Sequence, residues 1–393
     1  MKIEFDSDKH LITLDGSINS NNAIEVEKEI FDKVEGCLDS GLTIDATKLS
    51  YISSAGLRVL LKLQKKCKKT ITIENVSRDV YDIFDVTGFT EILTVKKAYR
   101  EVSVDGCKVI GKGFFGTVYR IDEDTIIKVY HGQDSIPMIL NEQKMAKKAF
   151  IKGIPTAISY DIVKVGEDYG SVFELLNAKS FNDLVIEGEI PLEELVKKYV
   201  ELLKIVHSTE VEEDELPSAR SVFIDYLKTI KDYLSDDEYT GLMSIISKAE
   251  DDYHMIHGDV QMKNVMMVDN EPMLIDMDTI CAGNPLFELQ GLYVTYIAFG
   301  EDEKDNTMNF LGISQETADK IWELVLEYYF GMSEKSEEEK ESILNKIKLL
   351  ACVRFLFIVI SSDLKNSELG ELRIKHSKEH IDELLKLVDN ISI

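Results

Sequence analysis

The sequence predicts two structural units: an α/β layer over about the first hundred residues, then an α+β unit with a strand-rich start and a mostly helical remainder. Three observations carry this. Up to about Tyr99, short apolar runs alternate with amphipathic helical stretches, the pattern of a partly parallel sheet covered by helices. From about Val102, "KVIGKGFFGTVYRIDEDTIIKVY" reads as two strands around a glycine-rich turn followed by a third strand. After Pro191, apolar residues recur at helical spacing almost to the last residue.

The elements follow in order. Leu11–Gly16 ("LITLDG") is a strand ending in a turn, and the stretch from Asn22 to Gly36 carries Ala23, Val26, Ile30 and Val34 on one helical face. Leu42–Thr47 is an apolar strand. The helix after it, "AGLRVLLKLQKKCKK", has a basic end that suits the negative C-terminal pole of its dipole. Ser53 or Ser54 would cap its start, a contribution of about 1 kcal/mol. Thr70–Val76 is a further strand and "RDVYDIFDVTG" a further helix. Lys96–Gly106 is the expected linker, and its lack of Pro, Gly and Ser richness predicts stiff coupling. In the second unit, "LEELVKKYVELLKIVH" sets Leu192, Leu195, Val196, Tyr199, Leu202 and Val206 on one stripe.

Composition narrows the function classes. The 393 residues are 44% hydrophobic and 30% charged, ordinary values for a globular protein with real cores. A formal charge of −27 argues against nucleic acid or an anionic membrane as a partner. Cys37, Cys67, Cys107, Cys281 and Cys352 are scattered and odd in number, which gives neither a disulfide framework nor a zinc site and fits a reducing cytoplasm. The opening "MKIEFDSDKH" lacks the apolar run of a signal peptide. "LLACVRFLFIVI", the most apolar segment, is too short to span a bilayer and carries Arg354 in its middle, so it reads as a buried helix.

The chemistry is concentrated in the second unit. "GKGFFGTV" supplies Gly111, Gly113, Gly116 and Val118, and glycines let backbone amides approach phosphate oxygens. Lying between two strands, the turn does not match a dinucleotide-binding fold. Ten residues after Val118, Lys128 sits among apolar strand residues, and Glu142 follows on a helix that could pair with it. "IHGDVQMKN" contributes Asp259, a proton acceptor for an attacking hydroxyl, with Asn264 five residues on. Val265–Val268 and Met273–Ile275 read as hairpin strands around turn residues Asp269–Pro272. That register places Val265 opposite Asp276, so Asn264 and Asp276 share one end of the hairpin near Asp259. An amide oxygen and a carboxylate aimed at one spot suit Mg²⁺. Asp278 is either an outer ligand or a turn residue.

This ordered set resembles the protein-kinase-like superfamily, and within it the aminoglycoside phosphotransferase and choline kinase-like branch, over roughly Gly106 to the C-terminus. The resemblance implies a bilobal domain with a β-rich small lobe (100–175) and a mostly helical large lobe (176–393). It implies that Gly111, Gly113, Gly116 and Val118 cover ATP, that Lys128 and Glu142 position its phosphates, and that Asp259 is the catalytic base, with Asn264 and Asp276 as Mg²⁺ ligands. "GSVFELLNAKSF" looks like the hinge, where Glu174 and Leu176 would offer backbone hydrogen bonds to adenine. "GNPLFEL" looks like the branch's structural loop, with Glu288 where an aspartate is usual, and His207 and His257 would be structural.

Two features bear on the acceptor. Gly258 stands where eukaryotic-type protein kinases carry an arginine, and only eleven residues separate Asp276 from Glu288, which leaves little room for a protein-docking segment. Both favour a small hydroxylated or amino substrate. Gln261 and Lys263 are not expected of the antibiotic-modifying members, so an aminoglycoside is not implied.

Residues 1–99, with "LDGSINSNNA", "SSAGL" and "DVTGFTEIL", resemble STAS domains, the sulfate transporter and anti-sigma factor antagonist family. That resemblance implies a protein partner and a phosphorylation switch at the serine before the small-residue–Gly–Leu of the helix, here Ser54. The usual preceding aspartate is Ser53 and a second serine is Ala55. The leading expectation is a cytoplasmic ATP-dependent phosphotransferase with a STAS regulatory module and a small-molecule acceptor. The alternatives are a protein serine kinase acting on Ser54, or a nucleotide-sensing anti-sigma factor antagonist or scaffold without catalysis.

Overall fold

The computed structural model describes residues 1–113, 116–132 and 135–392. The chain divides into two compact units, one comprising Met1–Ser103 and Ile162–Glu167, the other Val104–Asp161 and Asp168–Ile393.

The first unit runs β1 (Lys2–Asp6), β2 (Leu11–Ile18), α1 (Ala23–Val34), β3 (Thr43–Ile52), α2 (Ser54–Lys66), β4 (Thr72–Val76), α3 (Arg78–Val86), β5 (Thr94–Lys97) and β6 (Arg100–Glu101). Its sheet has the order β1-β2-β3-β4-β5; β1 is antiparallel to β2 and the other pairs are parallel. The expected face of α1, Ala23, Val26, Ile30 and Val34, is the buried one, and α2 buries Leu57, Val59, Leu60 and Leu63. Each such Val, Leu or Ile side chain contributes about 1.5–3 kcal/mol on full burial. Of the two serines, Ser53 is the cap: its hydroxyl accepts from Gly56 N at 3.4 Å, and Ser54 is the exposed first helical residue. β1 and β5 are additions to the sequence reading. Both are charged edge strands, and charge on an edge deters stray pairing while hiding the strand's pattern. The expected linker is in part structured, since β6 forms a ladder rather than a free tether.

The second unit opens with β7 (Lys108–Lys112), β8 (Gly116–Arg120), β9 (Thr125–Tyr130) and α4 (Ser135–Ile151). The tip of the glycine-rich turn, Phe114 and Phe115, lies outside the described residues. β10 (Asp161–Val165) pairs in parallel with β6 through Val163 and Lys164, within the first unit. β11 (Asp168–Glu174) returns to the second unit, whose antiparallel strands take the order β11-β9-β8-β7. Lys128 is therefore on an inner strand.

The helical part contains β12 (Lys179–Ser180), α5 (Phe181–Glu187), α6 (Leu192–His207), α7 (Ala219–Ile230), α8 (Asp236–Ser247), β13 (Met255–Ile256), β14 (Val265–Val268), β15 (Glu271–Leu274) and β16 (Cys281–Ala282). It continues through α9 (Leu286–Tyr293), a π-helical turn at Val294–Ala298, α10 (Phe299–Asp302), α11 (Asn306–Leu311), α12 (Gln315–Phe330), α13 (Glu337–Ser361) and α14 (Glu368–Leu384). Ser336 and Glu339 form a capping box that starts α13. α13 buries Ile347, Leu350, Val353 and Leu356 and packs against α7, α9 and α14, so the most apolar segment of the chain is a core helix. No described helix is long and apolar enough to cross a membrane.

Candidate active site

The hairpin that carries the acidic residues differs in register from the expectation. Val268 pairs with Glu271 and Val265 with Leu274, two positions away from the predicted pairing of Val265 with Asp276. Asp269 and Asn270 both adopt left-handed backbone (φ 48° and 68°), so two residues suffice for the turn where four were expected. A two-residue turn makes Val268–Glu271 a hydrogen-bonded pair, so Met267–Pro272 is a non-bonded one and the proline gives up no ladder bond. The consequence drawn for the site survives the shift. Ile275 N donates to Asn264 O at 3.0 Å, so Asn264 and Asp276 leave the hairpin at the same end.

Lys128 joins the two lobes of this unit. Its Nζ lies 3.2 and 3.1 Å from the two Glu142 oxygens and also donates to Asp276 Oδ1. Tyr130, two positions along the same face of β9, donates its hydroxyl to Glu142 Oε2. Burial works against the Lys128 charge, but the Glu142 and Asp276 carboxylates override it and hold the ammonium above its ordinary range. Burial pushes the Glu142 carboxyl up to about 7, against the pull of Lys128. Asp278 rises to about 6 through burial and the neighbouring Asp276 charge. Three carboxyl groups thus share one ammonium, an excess of negative charge that a divalent cation would relieve. Asp276 itself sits at φ 65°, an uncommon conformation of the kind found at functional positions.

Asp259 lies 32% exposed in the loop after β13 and is held at both oxygens. Oδ2 accepts from Gln261 Nε2 and Asn264 Nδ2, each at 3.2 Å, and Asn264 Nδ2 also reaches Asp259 O at 2.8 Å. The Asn264 amide nitrogen is thereby engaged, which leaves its Oδ1 as the atom able to meet a metal. Oδ1 of Asp259 accepts from Arg354 Nη2 at 3.2 Å, while Arg354 Nη1 donates to Gly258 O at 2.6 Å.

Beneath the loop, Glu288 is 1% exposed. Its carboxylate accepts from His257 N, and from Gly258 N at 3.0 and 3.1 Å. Burial would push Glu288 up, yet His207, His257 and the Gly258 N–H together hold it below the usual glutamate range. His207 Nε2 approaches it at 3.8 Å, ion-pair range rather than hydrogen-bond range, and His207 Nδ1 lies 2.8 Å from the Tyr329 hydroxyl. His257 Nε2 contacts Ile275 O at 3.1 Å, which ties the loop to the hairpin. Both histidines thus brace the loop. Gly258 has φ 85°, and a Cβ there would lie 2.4 Å from Thr279 O. The backbone therefore demands glycine at this position, whatever the acceptor.

The remaining predicted residues line the strand-rich lobe. Val118 pairs with Lys128 from β8, and Ser171 pairs with it from β11. Gly116 is needed where β8 meets β9, since a Cβ would lie 2.2 Å from Val129 O. Gly111 and Gly113 flank the turn with no such constraint, so the fold leaves space there. Glu174 ends β11, three positions beyond Ser171, and Leu176 follows in the segment leading to β12. Ser54 belongs to the first unit, at the start of α2.

Two residues escaped the sequence reading. Tyr130 carried a usable signal, an aromatic residue two positions from Lys128 on the same strand face. Arg354 is the lone charge of the apolar stretch 349–360, a signal that by itself argues only against membrane insertion. Among the described residues no three His, Cys, Asp or Glu side chains converge as a metal cage. A Mg²⁺ site needs none: one carboxylate, one amide oxygen and substrate oxygens suffice, and Asp276 with Asn264 Oδ1 fits that donor set.

Comparison with known proteins agrees with this division. The STAS domain model matches residues 2–102, and the Phosphotransferase enzyme family model matches residues 106–318. The anti-sigma factor antagonist BtrV of Bordetella bronchiseptica is 34% identical over 100 residues, covering 24% of this chain and 85% of that protein. Among solved structures, the GDP and kanamycin complex of APH(2″)-IIia has a TM-score of 0.48 at 12% identity, over 78% of this chain and 98% of that one. A choline/ethanolamine kinase family protein from Mesorhizobium loti has a TM-score of 0.48 at 13% identity, over 72% and 92%. With more than half of its length matched, the chain belongs to the phosphotransferase enzyme family and carries a STAS domain ahead of the matched region.

Proposed function

We propose that this protein transfers the γ-phosphoryl group of ATP to a hydroxyl group of a small molecule, with Asp259 as base. The observation that carries the reading is the Lys128 bridge. A lysine held between Glu142 on α4 and Asp276 at the hairpin end aligns the strand-rich lobe with the Asp259 loop. In the transfer, the acceptor hydroxyl oxygen bonds to the γ-phosphorus as the bond to the β–γ bridging oxygen breaks. The hydroxyl proton passes to the Asp259 carboxylate and ADP leaves. Gly111, Gly113, Gly116 and Val118 would cover the phosphates, and the backbone at Glu174 and Leu176 would meet the adenine. Asn264 Oδ1 and Asp276 would hold Mg²⁺, which neutralises phosphate charge when bound.

A small acceptor is supported by the segment after Asp276. Its eleven residues are occupied by a short 3₁₀ turn (Met277–Thr279), β16 and the approach to α9, with no loop of the length that protein docking needs. Gly258 lends less support than its sequence position suggested, because its backbone conformation already requires glycine. The STAS domain is read as a regulatory module. Ser54, exposed at the start of α2, is its candidate modification site.

The test is a γ-labelled ATP assay against pooled hydroxyl- and amino-bearing metabolites, with the intact mass of the protein followed in parallel. A labelled small product, lost in Asp259→Asn and Asp276→Ala proteins, is the expected result. Undiminished turnover in Asp276→Ala would overturn the metal assignment. Label appearing on Ser54 would identify a protein serine kinase, and tight nucleotide binding without turnover a nucleotide-sensing scaffold.

A further inference from the structure

We infer that Arg354 positions the Asp259 carboxylate for transfer, an assignment that rests on the phosphotransferase reading above. Arg354 is the only charged residue between Leu349 and Ile360, the apolar C-terminal half of α13. A guanidinium so placed is costly to desolvate unless its donors are met. Both of its terminal nitrogens are directed at the Asp259 loop: Nη1 to Gly258 O at 2.6 Å, Nη2 to Asp259 Oδ1 at 3.2 Å. The neighbouring helix is cut to fit. A Cβ at Gly291 of α9 would lie 3.1 Å from Nη1 and 3.6 Å from the guanidinium carbon, so glycine there leaves the passage open.

The geometry separates the two jobs of the fork. The bond to Gly258 O pins the backbone immediately before Asp259. The bond to Oδ1 is a further hold on the carboxylate plane, whose terminal torsion is intrinsically broad. Gln261 and Asn264 hold only Oδ2. Arg354 is thus the charged donor that holds Oδ1, and it acts through Asp259, from a helix 95 residues further along the chain. A lysine keeps the charge but cannot make both bonds in one fixed plane. Among the described residues no hydrogen bond or ion pair joins Arg354 to Lys128 or Glu142, so nucleotide affinity and turnover are read separately in the test.

The experiment uses full-length Arg354→Met and Arg354→Lys proteins. Calorimetry with a Mg²⁺-bound non-hydrolysable ATP analogue gives nucleotide affinity, and γ-labelled ATP gives turnover to acceptor or water. Affinity is expected within about twofold of native in both variants. Turnover is expected to fall on the order of 100-fold in Arg354→Met, the scale of a 1 Å misplacement, and at least about tenfold in Arg354→Lys. Native turnover in either variant, or losses of affinity and turnover in equal proportion, would overturn the assignment. If Arg354→Met does not fold, Arg354→Lys decides alone. A native protein that binds the analogue and turns over no ATP removes the phosphotransferase reading and this assignment together, a result distinct from active native protein with unaffected variants.

Discussion

Replacing Glu288 with glutamine changes almost nothing in shape and tests how the Asp259 loop is held. The buried carboxylate accepts from His257 N and, with both oxygens, from Gly258 N. Glutamine offers one acceptor oxygen and an NH₂ group that only donates. With the amide oxygen in the Oε2 position both backbone donors keep an acceptor while the NH₂ faces Gly258 N; in the other orientation His257 N loses its partner. In either orientation both backbone bonds lose a charged acceptor, and charge-assisted bonds contribute about 1.5–3 kcal/mol each against about 1 kcal/mol for neutral ones, so about 3 kcal/mol is expected. Trp322 is the only tryptophan of the chain, and it is buried in α12 of the second unit. Its fluorescence in urea therefore reads that unit without the first, a necessary separation in a two-domain protein. At a slope of about 3 kcal/mol/M, the midpoint should fall by about 1 M with the slope unchanged. Glu288 is held below its ordinary range, so its contribution is present above the unfolded pKa and is lost as pH falls through the folded one. The difference between native and Glu288→Gln proteins should accordingly be full at pH 7 and shrink in acid below about pH 4. An unmoved midpoint at pH 7 would refute the claim that these bonds secure the loop.

Two further outcomes follow from the same region. Gly258→Ala must place a side chain at φ 85° and 2.4 Å from Thr279 O; the left-handed backbone alone costs about 1–2 kcal/mol. The loop should shift, with a lower Trp322 midpoint and ATP turnover down on the order of 100-fold; native turnover in this variant would contradict the tight approach. Glu142→Gln should alter the pH dependence of stability. A carboxyl raised from 4.5 to about 7 binds its proton more tightly folded than unfolded, so stability is lost as pH rises from about 4.5 through about 7. The integrated effect is about 3 kcal/mol at 1.36 kcal/mol per unit. The native midpoint should therefore drop relative to Glu142→Gln between pH 4.5 and 7.5, and a pH-independent difference would count against the raised carboxyl.

Much of this protein is written locally. The stripe Ala23, Val26, Ile30 and Val34 names the buried face of α1, and Ser336 with Glu339 starts α13, because periodicity and capping depend only on neighbours a turn apart. The order of Gly111, Lys128, Glu142, Asp259, Asn264 and Asp276 carries the resemblance to the phosphotransferase family before any distance is known. The hairpin register was harder to read, since Asp269 and Asn270 both take left-handed backbone, which such residues tolerate but do not require. β1 and β5 were hidden by the charges that protect sheet edges. Arg354 was out of reach of any local rule. A charge in an apolar helix says that it must be paired, but which loop supplies the partner is decided only when α13 packs against α9, and there the partner is Asp259. Residue patterns record what must be buried or bonded, whereas tertiary packing chooses with what, because a buried charge takes the partner that the packed neighbours bring within hydrogen-bond distance.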